Sequence, residues 1–207
     1  DGADFELRFT DLKDALIGVP HVSEKKPSEI VLVMPTSSGQ KVSFKFYQNN
    51  VIHPKLEKKY PNIQTYVGIG IDNPTYRSTI VLNGDRIIGS VESDKEPSFF
   101  KSFNTQDRRN GILVYNETVN HQDIVCNAKS SMSDHNREFP ECMGTDEPCY
   151  PAGVELVTYR FAAMLTEAVT NDAADGTVEG GLTWLVGAVA YVNAMYVRDV
   201  TFQLQII

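Results

Sequence analysis

The chain of 207 residues has no run of about 20 apolar residues and no excess of positive charge. A membrane-spanning helix needs such a run, and the longest candidate, which begins at Thr177, is interrupted by Glu179, Asn193 and several glycines. The net charge of -8 has the wrong sign for binding nucleic acid or an anionic membrane surface. We therefore expect no membrane span and no nucleic-acid partner.

The composition also lacks the signature of a disordered protein. Hydrophobic residues make up 42% of the chain and charged residues 22%, which is ordinary for a globular protein. The chain is longer than a typical single domain and can form one full core plus a further part. We expect no signal peptide in this segment, which begins at Asp1 as a processed or recombinant product would.

The first part of the sequence is typical of an antiparallel β domain. Six short segments rich in β-branched and aromatic residues predict strands, namely 29–34, 41–47, 64–71, 76–82, 86–91 and 111–115. Asn83-Gly84 between two of them is the strongest hairpin signal. Alternation in 41–47 places Val42, Phe44 and Phe46 on one face, so the opposite face should contact water.

Two short helices are predicted within this β-rich part. The segment 10–17 has Thr10 or Asp11 as its cap, and 54–59 begins with Pro54 at a favourable first position. Residues 5 to about 118 therefore indicate one antiparallel sheet domain, either a sandwich or a half-barrel. Together with the C-terminal elements, this makes the fold class α+β.

Residues 119–153 differ in composition from the rest. Polar residues dominate and the apolar periodicity disappears, which is typical of a linker. The three cysteines, Cys126, Cys142 and Cys149, all lie in this range. His121 and His135 lie there too, and we interpret them as solvated side chains.

The last fifty residues predict a strand, a long helix and a second strand, at 157–164, 177–198 and 200–207. Apolar residues recur at spacings of three and four in the helix: Val178, Leu182, Leu185, Val186, Val189, Val192 and Tyr196. Thr177 is the predicted N-cap. A β-α-β unit of this kind opens a larger parallel sheet and cannot bury both faces alone, so we expect this segment to be the front of a longer domain.

These residues also resemble a known family. The segments 159–163 (YRFAA), 176–178 (GTV) and 192–200 (VNAMYVRDV) are similar, in order and spacing, to the start of a secreted bacterial reprolysin (adamalysin-like) metzincin zinc metalloprotease domain. The segment 56–66 (LEKKYPNIQTY) resembles part of the pro-regions that precede such domains. The resemblance implies a β-rich pro-domain at 1–118, a linker at 119–153 that is cut on activation, and an N-terminal catalytic fragment at 154–207.

The sequence lacks the catalytic motif of that family. Metzincins bind zinc through His-Glu-x-x-His-x-x-Gly-x-x-His. No histidine here is followed by Glu or has another His four positions along. We therefore expect no catalytic residue and no zinc in this segment, with zinc bound by residues beyond Ile207 in a full-length parent.

The resemblance also implies a role for one cysteine. Many metzincin pro-regions place a cysteine thiolate on the zinc and so keep the enzyme latent. Glu141-Cys142-Met143-Gly144 is similar to that switch, although Met143 separates Cys142 from Gly144. A Cys142–Cys149 disulfide that leaves Cys126 unpaired, and a Cys126–Cys149 disulfide that leaves Cys142 free, are the alternatives.

Two functions are compatible with these patterns. The first is a propeptide, acting in latency and folding, joined to the start of an exported zinc endopeptidase. Its partners would be the rest of its own catalytic domain and peptide substrates of the parent, at the cell surface or outside the cell. The second is a non-catalytic β-sandwich binding or assembly module whose C-terminal β-α-β unit pairs with another chain, for instance as a homodimer through the incomplete sheet.

Overall fold

The structure is a computed structural model that describes residues 2–6, 9–24, 26–93, 97–104, 110–116 and 155–207. It has an α+β fold dominated by antiparallel strands. In chain order the elements are β1 (Gly2–Glu6), α1 (Phe9–Leu16), a 3₁₀ turn (Val22–Glu24), β2 (Val31–Pro35), β3 (Lys41–Gln48), α2 (Pro54–Glu57), β4 (Ile63–Gly70), β5 (Arg77–Asn83), β6 (Arg86–Glu92), β7 (Ser98–Asn104), β8 (Asn110–Tyr115), β9 (Val157–Phe161), α3 (Glu167–Ala173), α4 (Val178–Asp199) and β10 (Phe202–Ile206).

The main sheet is a curled half-barrel in which β2 to β8 follow one another as neighbours, and β1 pairs with the outer side of β8. Every pairing within it is antiparallel. Such a meander needs only short connections between neighbouring strands. This confirms the predicted antiparallel sheet and selects the half-barrel over the sandwich.

One face of the sheet encloses the larger core with α1 and the loop that follows it. Phe44 and Phe46 are fully buried there, and Val42 packs at the edge of the same cluster. Lys41 and Lys45 are exposed. The alternation predicted for β3 is therefore confirmed.

The turn between β5 and β6 is the predicted Asn-Gly hairpin. Asn83 pairs with Arg86, which leaves Gly84 and Asp85 as a two-residue loop. Gly84 has a φ of 59°, a backbone conformation that glycine adopts without steric cost. This loop matches the twist of the two strands and fixes their register.

The opposite face of the sheet forms a second core with the C-terminal elements. Alternation along β5 directs Ile80 and Leu82 into the first core and Val81 into the second. The buried members of the second core are Val51, Ile52, Ile63, Val81, Val186, Val189, Ala190 and Ile206. Because β5 is covered on both faces, it lies at the centre of the molecule.

The long predicted helix is confirmed as α4, but its predicted buried face is partly wrong. Val178 is 77% exposed and Tyr196 is 39% exposed. The buried residues are smaller on average: Gly180, Gly181, Thr183, Val186, Val189, Ala190, Asn193 and Ala194. The reason is that α4 approaches the sheet closely, which favours small side chains over the largest apolar ones.

Several other elements differ from the sequence prediction. β1, β7 and α3 were not predicted, because their segments show neither clear alternation nor a long apolar stripe. The strand predicted at 157–164 ends at Phe161, where its pairing with β10 ends at Ile206. α1 begins at Phe9, so the predicted caps Thr10 and Asp11 lie within its first turn.

By length and composition alone, α4 could also cross a membrane. Half of its most apolar window is buried against the rest of the chain, as expected for a core helix. The absence of a membrane span therefore stays a prediction.

Candidate functional site

The candidate site is the contact surface between residues 2–116, here called the sheet part, and residues 155–207, here called the C-terminal unit. At its centre Val186, Val189 and Ala190 of α4 pack in the second core. Gly187 lies next to them, and a Cβ added there would come within 2.5 Å of Ile88 Cδ1. The absence of a side chain at position 187 therefore lets the helix lie close to β6.

Polar contacts link the start of α4 to the β5–β6 hairpin. Asn83 Nδ2 donates to Thr183 Oγ1 at 2.8 Å, and Arg86 forms a salt bridge with Asp175 at 2.5 Å. The Asp175 carboxylate also accepts hydrogen bonds from the hydroxyl and the backbone N–H of Thr177. These hydrogen bonds, the one from the Thr177 hydroxyl first, together with Arg86 lower the pKa of Asp175 to about 2.

Thr177 is the N-cap of α4, as predicted, because its side chain accepts the Gly180 N–H at 2.9 Å. Asp175 and Arg86 extend this cap into the sheet part. The contact between Asp175 and Thr177 is local, so the sequence Asp175-Gly176-Thr177 could have indicated that Asp175 supports the cap. The partner Arg86 is 89 positions away from Asp175 in the chain, and no local pattern predicts that contact.

A charged cluster links the end of α4 to the edge of the same strands. Arg198 donates to both carboxylate oxygens of Asp199, to Glu92 Oε1 at 3.3 Å and to the Thr75 carbonyl at 3.0 Å. Arg77 of β5 lies opposite Glu92 of β6 in the strand register. Burial lowers the pKa of Arg77, and the nearby positive charge of Arg198 adds to that shift. Glu92 therefore lies in the field of two guanidinium groups.

Backbone pairing also joins the two parts. Ile206 N donates to the Val51 carbonyl at 2.9 Å, and His53 N donates to the Ile206 carbonyl at 2.8 Å. Ile206, on the side of β10 that faces away from β9, is thus paired with the loop before α2. The structure confirms that α2 starts with Pro54 and shows that the His53 side chain caps it by accepting the Lys55 N–H.

β9 and β10 form a two-stranded parallel sheet, and β9 lies at its edge. Val157 and Tyr159 of β9 are 47% and 57% exposed. The ladder with β10 uses Val157 N and the Phe161 carbonyl, so the alternate residues Thr158 and Arg160 direct their backbone groups outward. Within the described ranges no strand pairs with this outer side of β9.

The predicted metal ligand, Cys142, lies outside the described residues, as do Cys126, Cys149, His121 and His135. Among the residues that the structure does describe, no group of three or more His, Cys, Asp or Glu side chains could hold a metal ion. The zinc and disulfide assignments therefore stay predictions.

Comparison of the chain with protein-family models, with curated proteins and with solved structures finds no match. A functional assignment for this chain consequently depends on the residue patterns of the sequence and on the geometry of the sheet part and the C-terminal unit.

Proposed function

We propose that the chain is the pro-region and the first strand, helix and second strand of the catalytic domain of an exported zinc endopeptidase. The observation that best supports this proposal is the parallel pair β9–β10, whose connection contains α4 and whose outer edge at β9 is open. The residues that resemble the metzincin domain start lie mostly on β9 and α4 and directly beside them.

A parallel pair with an open edge favours a larger sheet in the parent protein. Parallel strands normally occur in sheets covered by helices on both faces, and two strands alone are marginally stable. In this chain α4 and the sheet part cover one side of the pair, through Ile206 and Leu204. Further strands of a catalytic domain would pair with the outer side of β9, where Thr158 and Arg160 present their backbone groups.

The sheet part would then act in folding and latency. It covers Val186, Val189 and Ala190, which would otherwise be exposed until the rest of the catalytic domain had folded. Covering these side chains lowers the risk of aggregation during folding. Latency would be added by a thiolate on the zinc, and Cys142 is the residue we propose for that role.

The parent reading frame tests the proposal directly. We expect a His-Glu-x-x-His-x-x-Gly-x-x-His helix within about 150 residues after Ile207, the scale of one domain. The whole precursor should bind one zinc ion and cleave peptides only after processing. A parent frame without that helix would exclude the endopeptidase.

The role of Cys142 needs a separate experiment. Peptide cleavage by the unprocessed precursor should rise in Cys142→Ala, because the thiolate no longer displaces the catalytic water. Cys126→Ala and Cys149→Ala are the matched controls and should stay latent. Equal latency in all three variants would rule out the switch while leaving the endopeptidase assignment intact.

A second candidate is a non-catalytic assembly module. The exposed edge of β9, with the apolar side chains of Val157 and Tyr159, supports it, because such an edge can add a strand from another chain. The two candidates differ in zinc content of the parent protein and in whether β9 pairs within one chain or between chains.

A further inference from the structure

We propose that the sheet part stays bound to the C-terminal unit after the chain is cut between residues 117 and 154, so that one cut does not separate them. This inference follows from the contact surface alone. Its consequence for latency rests on the proposed function.

The apolar centre of the contact surface is the first reason. Separation would expose side chains of both parts that are now at most 6% exposed, including Val51 and Val81 of the sheet part and Val186 and Val189 of α4. Water would then contact one apolar patch on each part. Large exposed apolar patches are rare on stable proteins, and contact between two such patches is the main source of association free energy.

The polar contacts at both ends of α4 are the second reason. Arg86–Asp175 and Asn83–Thr183 hold its start, and Arg198–Glu92 holds its end. A further contact is the backbone pairing of Ile206 with Val51 and His53. All of these join described residues on opposite sides of the 117–154 segment and do not depend on chain continuity through it.

The geometry of β5 is the third reason. Its central residues are buried on both faces, and the cover on one face comes from α4. Loss of the C-terminal unit would therefore open the middle of the half-barrel sheet rather than a peripheral strand.

For a latent endopeptidase the consequence is a two-step activation. A cut in the linker would break the covalent connection but leave the sheet part in place over α4. Full activity would then require a second event that removes it, such as further proteolysis of the sheet part.

The experiment uses the full chain with a specific protease recognition sequence, flanked by glycine and serine, inserted after Ser133. Cleavage is verified on a denaturing gel, and the cut protein is then run on a native size-exclusion column. We expect both pieces in one peak at the elution volume of the uncut chain. Elution of the two pieces at separate volumes would overturn the proposal.

Matched variants on one helix test the mechanism. After cutting, Val186→Asp should elute as two species, because it places a charge in the centre of the contact. Val178→Asp, at an exposed position of the same helix, should elute as one. If Val186→Asp does not fold, Val186→Thr takes its place, because threonine keeps the shape of the valine side chain. Val186→Thr should weaken the association of the two pieces about 10- to 100-fold, measured by dilution of the cut protein.

The outcomes separate this inference from the proposed function. A single peak from a protein whose parent frame lacks the zinc helix would support retention and exclude the endopeptidase. Two peaks from a protein whose parent frame does contain that helix would overturn retention and support the endopeptidase.

Discussion

Asn193 of α4 and Leu204 of β10 form a closed pair of hydrogen bonds. Asn193 Nδ2 donates to the Leu204 carbonyl at 2.8 Å, and Leu204 N donates to Asn193 Oδ1 at 2.7 Å. Ile206, two residues further along the same side of β10, is paired instead with Val51 and His53. On this side of β10, the Asn193 side-chain amide therefore pairs with Leu204, and the backbone of Val51 and His53 pairs with Ile206.

We expect Asn193→Ala to lower the free energy of unfolding by about 3 kcal/mol, because it leaves the N–H and C=O of Leu204 without partners in a partly buried site. Urea unfolding followed by circular dichroism measures the change. Asn171→Ala, at an exposed position of α3, is the control and should change stability by less than about 0.5 kcal/mol. Equal effects of the two substitutions would show that the hydrogen bonds between Asn193 and Leu204 do not stabilise the fold.

The Asp175 carboxylate should make stability depend on pH in the acid range. Its pKa in the folded state is about 2, below the ordinary 3.8, so its contribution is present above about pH 4 and is lost as the pH falls towards 2. Because its side chain is 29% exposed, screening limits the contribution to about 1 kcal/mol. Asp72, an exposed residue just after β4, is the control. The dependence of the unfolding midpoint on pH between pH 2 and pH 5 should be weaker in Asp175→Asn than in Asp72→Asn. An unchanged slope in Asp175→Asn would exclude this role.

The Glu92–Arg198 contact should couple the sheet part to α4. A double-mutant cycle with Glu92→Gln and Arg198→Ala is expected to give a coupling free energy of about 1 kcal/mol, because both side chains are three-quarters buried. Glu92→Gln should be the more harmful single change, since it leaves Asp199 as the one carboxylate beside Arg77 and Arg198 among the described contacts of this cluster.

The exposed pair Lys13–Asp85, at 3.7 Å, provides the control cycle for that prediction. Its coupling should be below about 0.5 kcal/mol, as for most surface ion pairs. A coupling between Glu92 and Arg198 no larger than this control would show that the charged cluster does not join the two parts.

Thr201 has a φ of 55°, which is unfavourable for a β-branched residue, and it directly follows the C-cap of α4. We expect Thr201→Asn to raise the free energy of unfolding by about 1 kcal/mol, because asparagine tolerates this left-handed conformation better. Chemical denaturation measures the gain. Thr158→Asn in strand β9 is the control, and a similar gain there would argue against relief of backbone strain.

Proline substitutions in β9 test which backbone groups face outward. Arg160→Pro should cost less than about 1 kcal/mol, because its N–H points away from β10, whereas Tyr159→Pro should cost about 3 kcal/mol by removing a ladder bond. Thermal unfolding distinguishes them. Under the assembly alternative, any self-association seen by sedimentation should disappear in Arg160→Pro, and its persistence would place the contact elsewhere.

Local patterns in the sequence predicted much of the sheet. The alternation in β3 was sufficient to predict its buried face, and Asn83-Gly84 was sufficient to predict the β5–β6 hairpin. Both signals are local, and each is compatible with few structures. β7 was missed although it pairs on both sides, because Ser98–Asn104 lacks the β-branched residues and the clear alternation that identify a strand.

The contact surface was harder to predict. Asn193 was counted in the sequence as an interruption of an apolar helix, yet it is 1% exposed and hydrogen-bonded to β10. Val178 was assigned to the buried face and lies in solvent. Periodicity identifies a helix, but it does not show which part of a broad stripe will contact a neighbour that lies a hundred residues away.

By itself, the sequence determined that most strands between residues 29 and 115 form an antiparallel sheet, that a capped helix starts after Thr177, and that two apolar strands flank it, since each of these depends on side chains a few positions apart. Only the tertiary structure decided that the C-terminal unit lies across the second face of the half-barrel sheet, held by Arg86, Glu92 and the backbone of Val51. Those contacts depend on the distance between elements remote in the chain, and that distance is set by how closely Gly187 lets the helix approach Ile88.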